Sequence, residues 1–302
     1  MSVPNLKLNT GATIPQIGLG LWQVLPGIIC KRAVRIGLEA GYRHFDTAQA
    51  YHNEQHLGAA LKDSRLKRQE VFITTKIRTA NLGQDDVLPS FEKSLEKLQT
   101  DYVDLLLIHF PVTEHRRGAW QRLEEIYKSG RAKAIGVSNY MIHHLEELLA
   151  ECQIKPAVNQ IELHVFLQMS ELVDYCKKKG IIVEAYSPLA HGHGLDDPTL
   201  AKIAKKHGKT AAQVMIRWCI EIGTVPLPKS THKDRIKENF EVFDTFDSPK
   251  ARSVSTSSSL SLRAEGLSPV EWVDFKLDQQ DMTDLAKLNR NLRTCWDPTN
   301  VP

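Results

Sequence analysis

Short runs that are apolar at nearly every position alternate along the chain with longer segments in which apolar residues recur every three or four positions. The apolar runs are Ile17–Leu19, Tyr42–Phe45, Val71–Thr75, Val103–Ile108, Ala132–Gly136, Ala157–Asn159, Ile181–Ala185 and Thr224–Leu227. The periodic segments include Cys30–Glu39, Asp86–Lys97, Trp120–Lys128, His143–Glu151, Glu171–Lys179, Thr199–His207 and Ala211–Ile222. Strands that are apolar throughout are covered on both faces, as in parallel sheets flanked by helices. About eight repeats of strand and helix predict an α/β fold, a (β/α)8 TIM barrel. A doubly wound open sheet is the competing arrangement; it usually carries GxGxxG after its first strand, and Gly18-Leu19-Gly20-Leu21-Trp22 does not continue that pattern. Ahead of the repeats, Leu6 to Ile14 reads as an N-terminal β-hairpin turning at Asn9-Thr10-Gly11.

The alternation is lost from Thr245 to Asp274, where Ser253 to Ser261 is serine-rich and of low complexity. Such composition does not bury enough apolar surface to offset the entropy of ordering. The stretch reads as a flexible insertion, 245–274, within a single domain spanning 1–302, and Leu260, Leu262, Leu267 and Trp272 leave room for a docking motif. Helix-compatible sequence resumes at Asp278, and the tail from Thr294 to Pro302 has no periodicity.

Composition adds boundaries. A net charge of +3 over 302 residues is too weak a bias for nucleic acid, though it suits a small anionic ligand. Five scattered cysteines with no CxxC pair read as reduced thiols, which points to the cytoplasm. Met1 to Pro15 is polar and proline-broken, unlike a signal peptide, and no apolar run is long enough to span a bilayer.

The chemistry lies in the residues that close the apolar runs. Around Gly41 to Glu54 a short run stops at Asp46, Tyr51 follows on a loop, and Asn53-Glu54 opens a helix that ends near Leu61, with Asn53 placed to cap it. Lys76 closes the third run, His109 the fourth, Ser138-Asn139 the fifth, Gln160 the sixth, Tyr186-Ser187 the seventh and Lys229-Ser230 the eighth. If the strands are parallel, these side chains converge on one mouth of the barrel. An acid, a lysine, a histidine and a tyrosine gathered there suit proton transfer. Lys76 beside Tyr51 would draw the phenol pKa down, Asp46 would keep the lysine charged and aimed, and His109 would donate to a developing oxyanion or relay the proton. No metal cluster offers itself: His191-Gly192-His193 reads as a loop and His143-His144 as helix surface. Pro228 to Arg235, running into a helix through Asn239, combines a helix start with lysine, hydroxyls and arginine, as a phosphate site does.

Taken in order, these segments resemble the aldo-keto reductase superfamily. The resemblance is carried by Gly18-Leu19-Gly20-Leu21-Trp22-Gln23, by Phe45-Asp46-Thr47-Ala48 through Tyr51-His52-Asn53-Glu54, and by Thr75-Lys76. It continues through Asp101-Tyr102-Val103-Asp104 to His109-Phe110-Pro111, then Ile135-Gly136-Val137-Ser138-Asn139, Val158-Asn159-Gln160-Ile161-Glu162, Ala185-Tyr186-Ser187-Pro188-Leu189 and Pro228-Lys229-Ser230. It covers nearly the whole chain apart from 245–274. It implies a monomeric barrel that binds NADPH at the carboxyl-end mouth and reduces aldehydes or ketones to alcohols. Asp46, Tyr51, Lys76 and His109 would be the catalytic tetrad, with Tyr51 the proton donor. Ser138, Asn139 and Gln160 would hold the carboxamide, Tyr186 would stack on the nicotinamide, and Ser187 and Leu189 would line the pyrophosphate path. Lys229, Ser230 and Arg235 would contact the 2′-phosphate, favouring NADPH over NADH, and Glu238 and Asn239 the adenine.

Phe110 stands where the family often has tryptophan, and the 111–118 and 190–195 loops are short, which together imply an open pocket walled by Trp22, Phe110 and Trp296. The insertion would fall after the eighth helix, at the end of the barrel away from the site. Two other readings attach to the same residues: an NADPH-binding redox-sensing or scaffold subunit with little turnover, and a barrel in which Lys76 forms a Schiff base.

Overall fold

A computed structural model describes residues 3–243 and 275–302. The 245–274 stretch, with Leu260, Leu262, Leu267 and Trp272, lies outside the described residues. After an antiparallel hairpin of β1 (Asn5–Lys7) and β2 (Thr13–Pro15) come eight strands: β3 (Leu19–Gly20), β4 (His44–Asp46), β5 (Phe72–Ile77), β6 (Leu105–Ile108), β7 (Ile135–Ser138), β8 (Val158–Glu162), β9 (Ile182–Tyr186) and β10 (Val225–Leu227). All eight pair in parallel with their sequence neighbours. The ring closes where the N–H groups of Gly18 and Gly20 donate to the carbonyls of Pro226 and Pro228, at 3.1 and 3.0 Å. Only glycine allows that approach: a Cβ on Gly18 would sit 2.7 Å from His44 Nδ1, and one on Gly20 3.0 Å from the Leu227 carbonyl oxygen. These glycines serve barrel closure.

Helices follow the strands: α1 (Ile28–Ala40), α2 (Glu54–Asp63), α3 (Val87–Leu98), α4 (Arg116–Lys128), α5 (Ile142–Glu151), α6 (Ser170–Lys179), α7 (Pro198–His207), α8 (Ala211–Glu221) and α9 (Lys233–Phe240). The buried stripe of α3 is Val87, Phe91, Leu95 and Leu98. Beyond the undescribed stretch, Asp278 caps a further helix, Gln279–Ala286, by accepting from the Asp281 N–H at 2.9 Å. The hairpin seals the amino end of the barrel, where Leu8 and Ile14 pack with Phe72, Leu105, Ala157 and Val225. The carboxyl end stays open.

Where element bounds differ from expectation, polar side chains are the reason. β7 runs on to Ser138 and β8 to Glu162, beyond the apolar runs, because Ser138 and Gln160 pair in the ladder while their side chains find partners inside the barrel. Val103 makes only an isolated bridge to Ala132. Asn53 stands at the cap position of α2 without capping it: the buried side chain accepts from the Thr47 hydroxyl at 2.7 Å and donates to the Leu21 and Val24 carbonyls. It binds the first two strand ends together instead. His144 is buried, not helix surface; its Nδ1 accepts from the Met141 N–H at 3.0 Å at the start of α5.

Candidate active site

Residues two apart on a strand share a face. His44 and Asp46 on β4, Thr74 and Lys76 on β5, and Glu184 on β9 meet in this way inside the barrel. Lys76 is fully buried and Asp46 is 3% exposed. The ammonium donates to Asp46 Oδ1 and Oδ2 at 2.7 and 2.8 Å, to the Thr47 carbonyl at 3.0 Å and to the Tyr51 hydroxyl at 3.2 Å. These contacts hold the Lys76 nitrogen against Asp46, Thr47 and Tyr51 and leave it no approach to a carbonyl carbon, which argues against the Schiff-base reading.

Tyr51 ends a 3-10 turn, Gln49–Tyr51, that local sequence alone does not stiffen. Buried Gln49 holds it: Nε2 donates to the Ser90 carbonyl at 3.0 Å, and Oε1 accepts from the Arg78 N–H and from Asn81. The Tyr51 and His109 rings meet edge to face with centroids 5.5 Å apart. Burial, and then the Asp46 carboxylate, hold the Tyr51 phenol well above its ordinary pKa. The expectation that Lys76 draws it downward is thus not met in this structure, because burial, with the Asp46 charge added, outweighs the neighbouring ammonium. A phenol held protonated suits a proton donor.

Burial also lowers the His109 pKa from 6.5 to about 3, with the Lys76 charge adding to the effect. The ring is therefore neutral at working pH and carries one N–H to donate. His44 is likewise lowered to about 3 by burial, whereas burial raises Glu184 from 4.5 to about 8.

These shifts have opposite signs for folding. From pH 8 down to 4.5 the folded chain holds a proton on Glu184 that the unfolded chain has released, so the stability this costs is recovered as pH falls. Below pH 6.5 the unfolded chain protonates both histidines while the folded chain does not, so stability drops. Net, stability, and the melting temperature with it, should peak near pH 6.5, declining by about 1 kcal/mol per pH unit above it and more steeply below it, where His144, lowered to about 4, adds to the other two histidines. Calorimetry from pH 4.5 to 8 checks this; a monotonic curve would contradict it.

The residues proposed for a cofactor occupy the neighbouring strand ends. Ser138 Oγ donates to the Gln160 carbonyl at 3.0 Å, and Asn139, at φ 66°, donates to the His109 carbonyl at 3.0 Å and accepts from the Tyr186 hydroxyl at 2.8 Å. The Gln160 amide N–H groups are taken by Asp46 Oδ2 at 2.9 Å and Glu184 Oε2 at 2.8 Å, which leaves its oxygen to accept. Tyr186 is half-buried. One strand on, Lys229 and Arg235 are exposed, and no hydrogen bond or ion pair engages either among the described residues. Ser230 accepts from the His232 N–H at 3.1 Å, Glu238 accepts from Thr210 at 2.7 Å, and Asn239 is buried. Ser187 and Leu189 are half-buried, and Ser187 bonds His191 at 3.0 Å.

Trp296 lies over the mouth, 5.7 Å from the Trp22 ring and 6.2 Å from His109, with half-buried Phe110 following His109. Glu162 holds that tail, accepting from the Thr294 N–H at 2.7 Å and the Cys295 N–H at 3.1 Å. The 190–195 loop contributes more than openness, since His191 packs edge-on against Trp22 at 5.3 Å. Glu162, Glu184 and Gln49 support the site from positions that the strand-end pattern missed. A charge inside an apolar run, as in Ile182-Val183-Glu184-Ala185, is the signal that marks the second of them. Among the described residues no group of three or more potential ligands is arranged for a metal, and no helix is long and apolar enough to cross a membrane.

The model of the aldo/keto reductase family matches residues 16–254. The chain is 41% identical over 296 residues to glyoxal reductase of Bacillus subtilis, covering 98% of this chain and 96% of that one. It is 38% identical over 297 residues to methylglyoxal reductase DkgA of Escherichia coli O157:H7, covering 97% and 96%. The crystal structure of a Bombyx mori aldo-keto reductase in complex with NADP superposes with a TM-score of 0.81 at 31% identity, covering 97% of this chain and 95% of that one.

Proposed function

Since the chain belongs to the aldo/keto reductase family, we propose that it reduces aldehydes and ketones to alcohols with NADPH, with Tyr51 as proton donor. The observation that carries this reading is the Lys76 ammonium, 2.7 Å from Asp46 and 3.2 Å from the Tyr51 hydroxyl in a buried site. Small dicarbonyls head the substrate class, given the relatives named glyoxal and methylglyoxal reductase.

The residues present fit the cofactor. Two exposed cations stand near the start of α9, where a 2′-phosphate needs them, and a half-buried tyrosine ring closes β9. Lys229 and Arg235 would hold that phosphate, Ser138, Asn139 and the free Gln160 oxygen the carboxamide, and Tyr186 the ring face. NADPH, when bound, supplies a hydride for the carbonyl carbon. The chain does the rest. A carbonyl oxygen placed between Tyr51 and His109 accepts from the phenol and from the neutral imidazole. As negative charge builds there, the Tyr51 O–H bond breaks and the proton passes to the oxygen. The phenolate left behind is stabilised by the ammonium 3.2 Å away. Trp22, Phe110 and Trp296 line an apolar wall that limits water.

Steady-state assays with NADPH against glyoxal, methylglyoxal and an aromatic aldehyde test the reading. Turnover with members of the panel is expected; no NADPH oxidation with any of them would contradict it and favour a binding subunit. Arg235→Ala should raise KM for NADPH about tenfold and leave KM for NADH nearly unchanged, because only NADPH carries the phosphate. Equal effects on both cofactors would remove Arg235 from the phosphate site.

A further inference from the structure

Two carboxyl groups and one ammonium share the sealed interior beneath Tyr51. Glu184 and Lys76 are fully buried and Asp46 nearly so. The Gln160 amide donates to both acids, to Asp46 Oδ2 at 2.9 Å and to Glu184 Oε2 at 2.8 Å. Lys76 touches only Asp46 of the two. The other charged or titratable groups facing Glu184 and its partners are His44 on β4, whose Nε2 lies 3.4 Å from Glu184 Oε1, and Tyr51 above, which in turn faces His109 and Cys295. His44 is held neutral by burial and brings no second cation. Glu184 Oε1 accepts no hydrogen bond. One acid is therefore in excess.

Building on the reductase reading, we propose that Glu184 is a positioning residue of the reaction: through Gln160 it steadies Asp46, and its charge sets the alkaline limit of carbonyl reduction by Tyr51. At neutral pH burial keeps the group in its acid form. Above its raised pKa it loses that proton, and a second anion appears beside Asp46 with no added cation. That anion opposes formation of the Tyr51 phenolate, so the phenol keeps its proton, and reduction continues, to higher pH.

Glu184→Gln keeps the volume and an oxygen to accept from Gln160, and removes the charge. The expected result is an alkaline limb of kcat/KM for aldehyde reduction that falls at a pH lower by about one unit. A purely structural role would scale activity at every pH without moving the limb, so a variant profile that superimposes on wild type after scaling overturns the proposal. Should the variant not fold, carbon-13 NMR of the glutamate carboxyls in the wild-type protein decides. One carboxyl titrating above neutrality supports the proposal, and every carboxyl titrating in the ordinary range overturns it. Wild-type protein inactive with every aldehyde sinks the reductase reading itself, whereas active wild-type protein with an unmoved limb in the variant sinks only this inference.

Discussion

Tyr51→Phe should lower kcat for aldehyde reduction by about a thousandfold while NADPH affinity stays within about twofold of wild type. The substitution removes one oxygen and keeps the ring that meets His109 edge to face at 5.5 Å. Lys76 retains Asp46 and the Thr47 carbonyl as partners, so the buried pair survives. What disappears is the only O–H in the buried set that the lysine ammonium can stabilise as an anion. His109 does not take over, because a ring whose pKa is lowered to about 3 is neutral and a poor acid at pH 7. Rapid-quench turnover together with a fluorescence titration of NADPH separates the two effects. A variant that keeps a tenth or more of its activity would assign the proton to another group.

Lys76→Met should be the most destabilising change at the site, costing on the order of 3–5 kcal/mol at neutral pH and lowering the melting temperature by roughly 5–10 °C. The chain length is kept, so the loss is one of charge. Asp46, held at 2.7 Å by the ammonium, becomes a buried anion whose remaining donor is the Gln160 amide, shared with Glu184. An unpaired buried carboxyl takes up a proton more readily, so acidifying the buffer towards pH 5 should return part of the lost stability. Wild type, which loses stability on going below pH 6.5, should show the opposite trend there. Thermal melts of both proteins at pH 5 and pH 6.5 make the comparison; parallel shifts would mean that the ammonium does not offset the Asp46 charge. Activity should fall as well, since nothing then stabilises the phenolate.

Asp46, Lys76 and His109 were legible because each closes an apolar run, and parallel strands bring such residues to one rim. Tyr51 was legible as the polar residue on the loop between strand and helix. Glu184 was marked only as a charge inside an apolar run, and its role was not legible because its partners come from afar: Gln160, which it holds, reaches Asp46 across 114 positions of sequence. Barrel closure makes that contact, and no local periodicity encodes it. The roles of Gln49 and Asn53 were hidden for a related reason, since their side chains serve the loop that presents Tyr51. Asn53 read as a helix cap from its position alone, yet burial among the first strand ends turned its oxygen to the Thr47 hydroxyl and its N–H groups to the Leu21 and Val24 carbonyls. The direction of the Tyr51 shift also depends on burial, a three-dimensional quantity that a neighbouring lysine in the sequence does not reveal.

The most direct test of the shared site is a crystal structure of the protein with NADP and an unreactive carbonyl ligand. The arrangement predicts the ligand oxygen at about 2.6–3.2 Å from the Tyr51 hydroxyl, with a His109 ring nitrogen within similar reach and Lys76 still bridging Tyr51 and Asp46. A ligand oxygen bound away from Tyr51, or a Tyr51 hydroxyl turned away from Lys76, would contradict it.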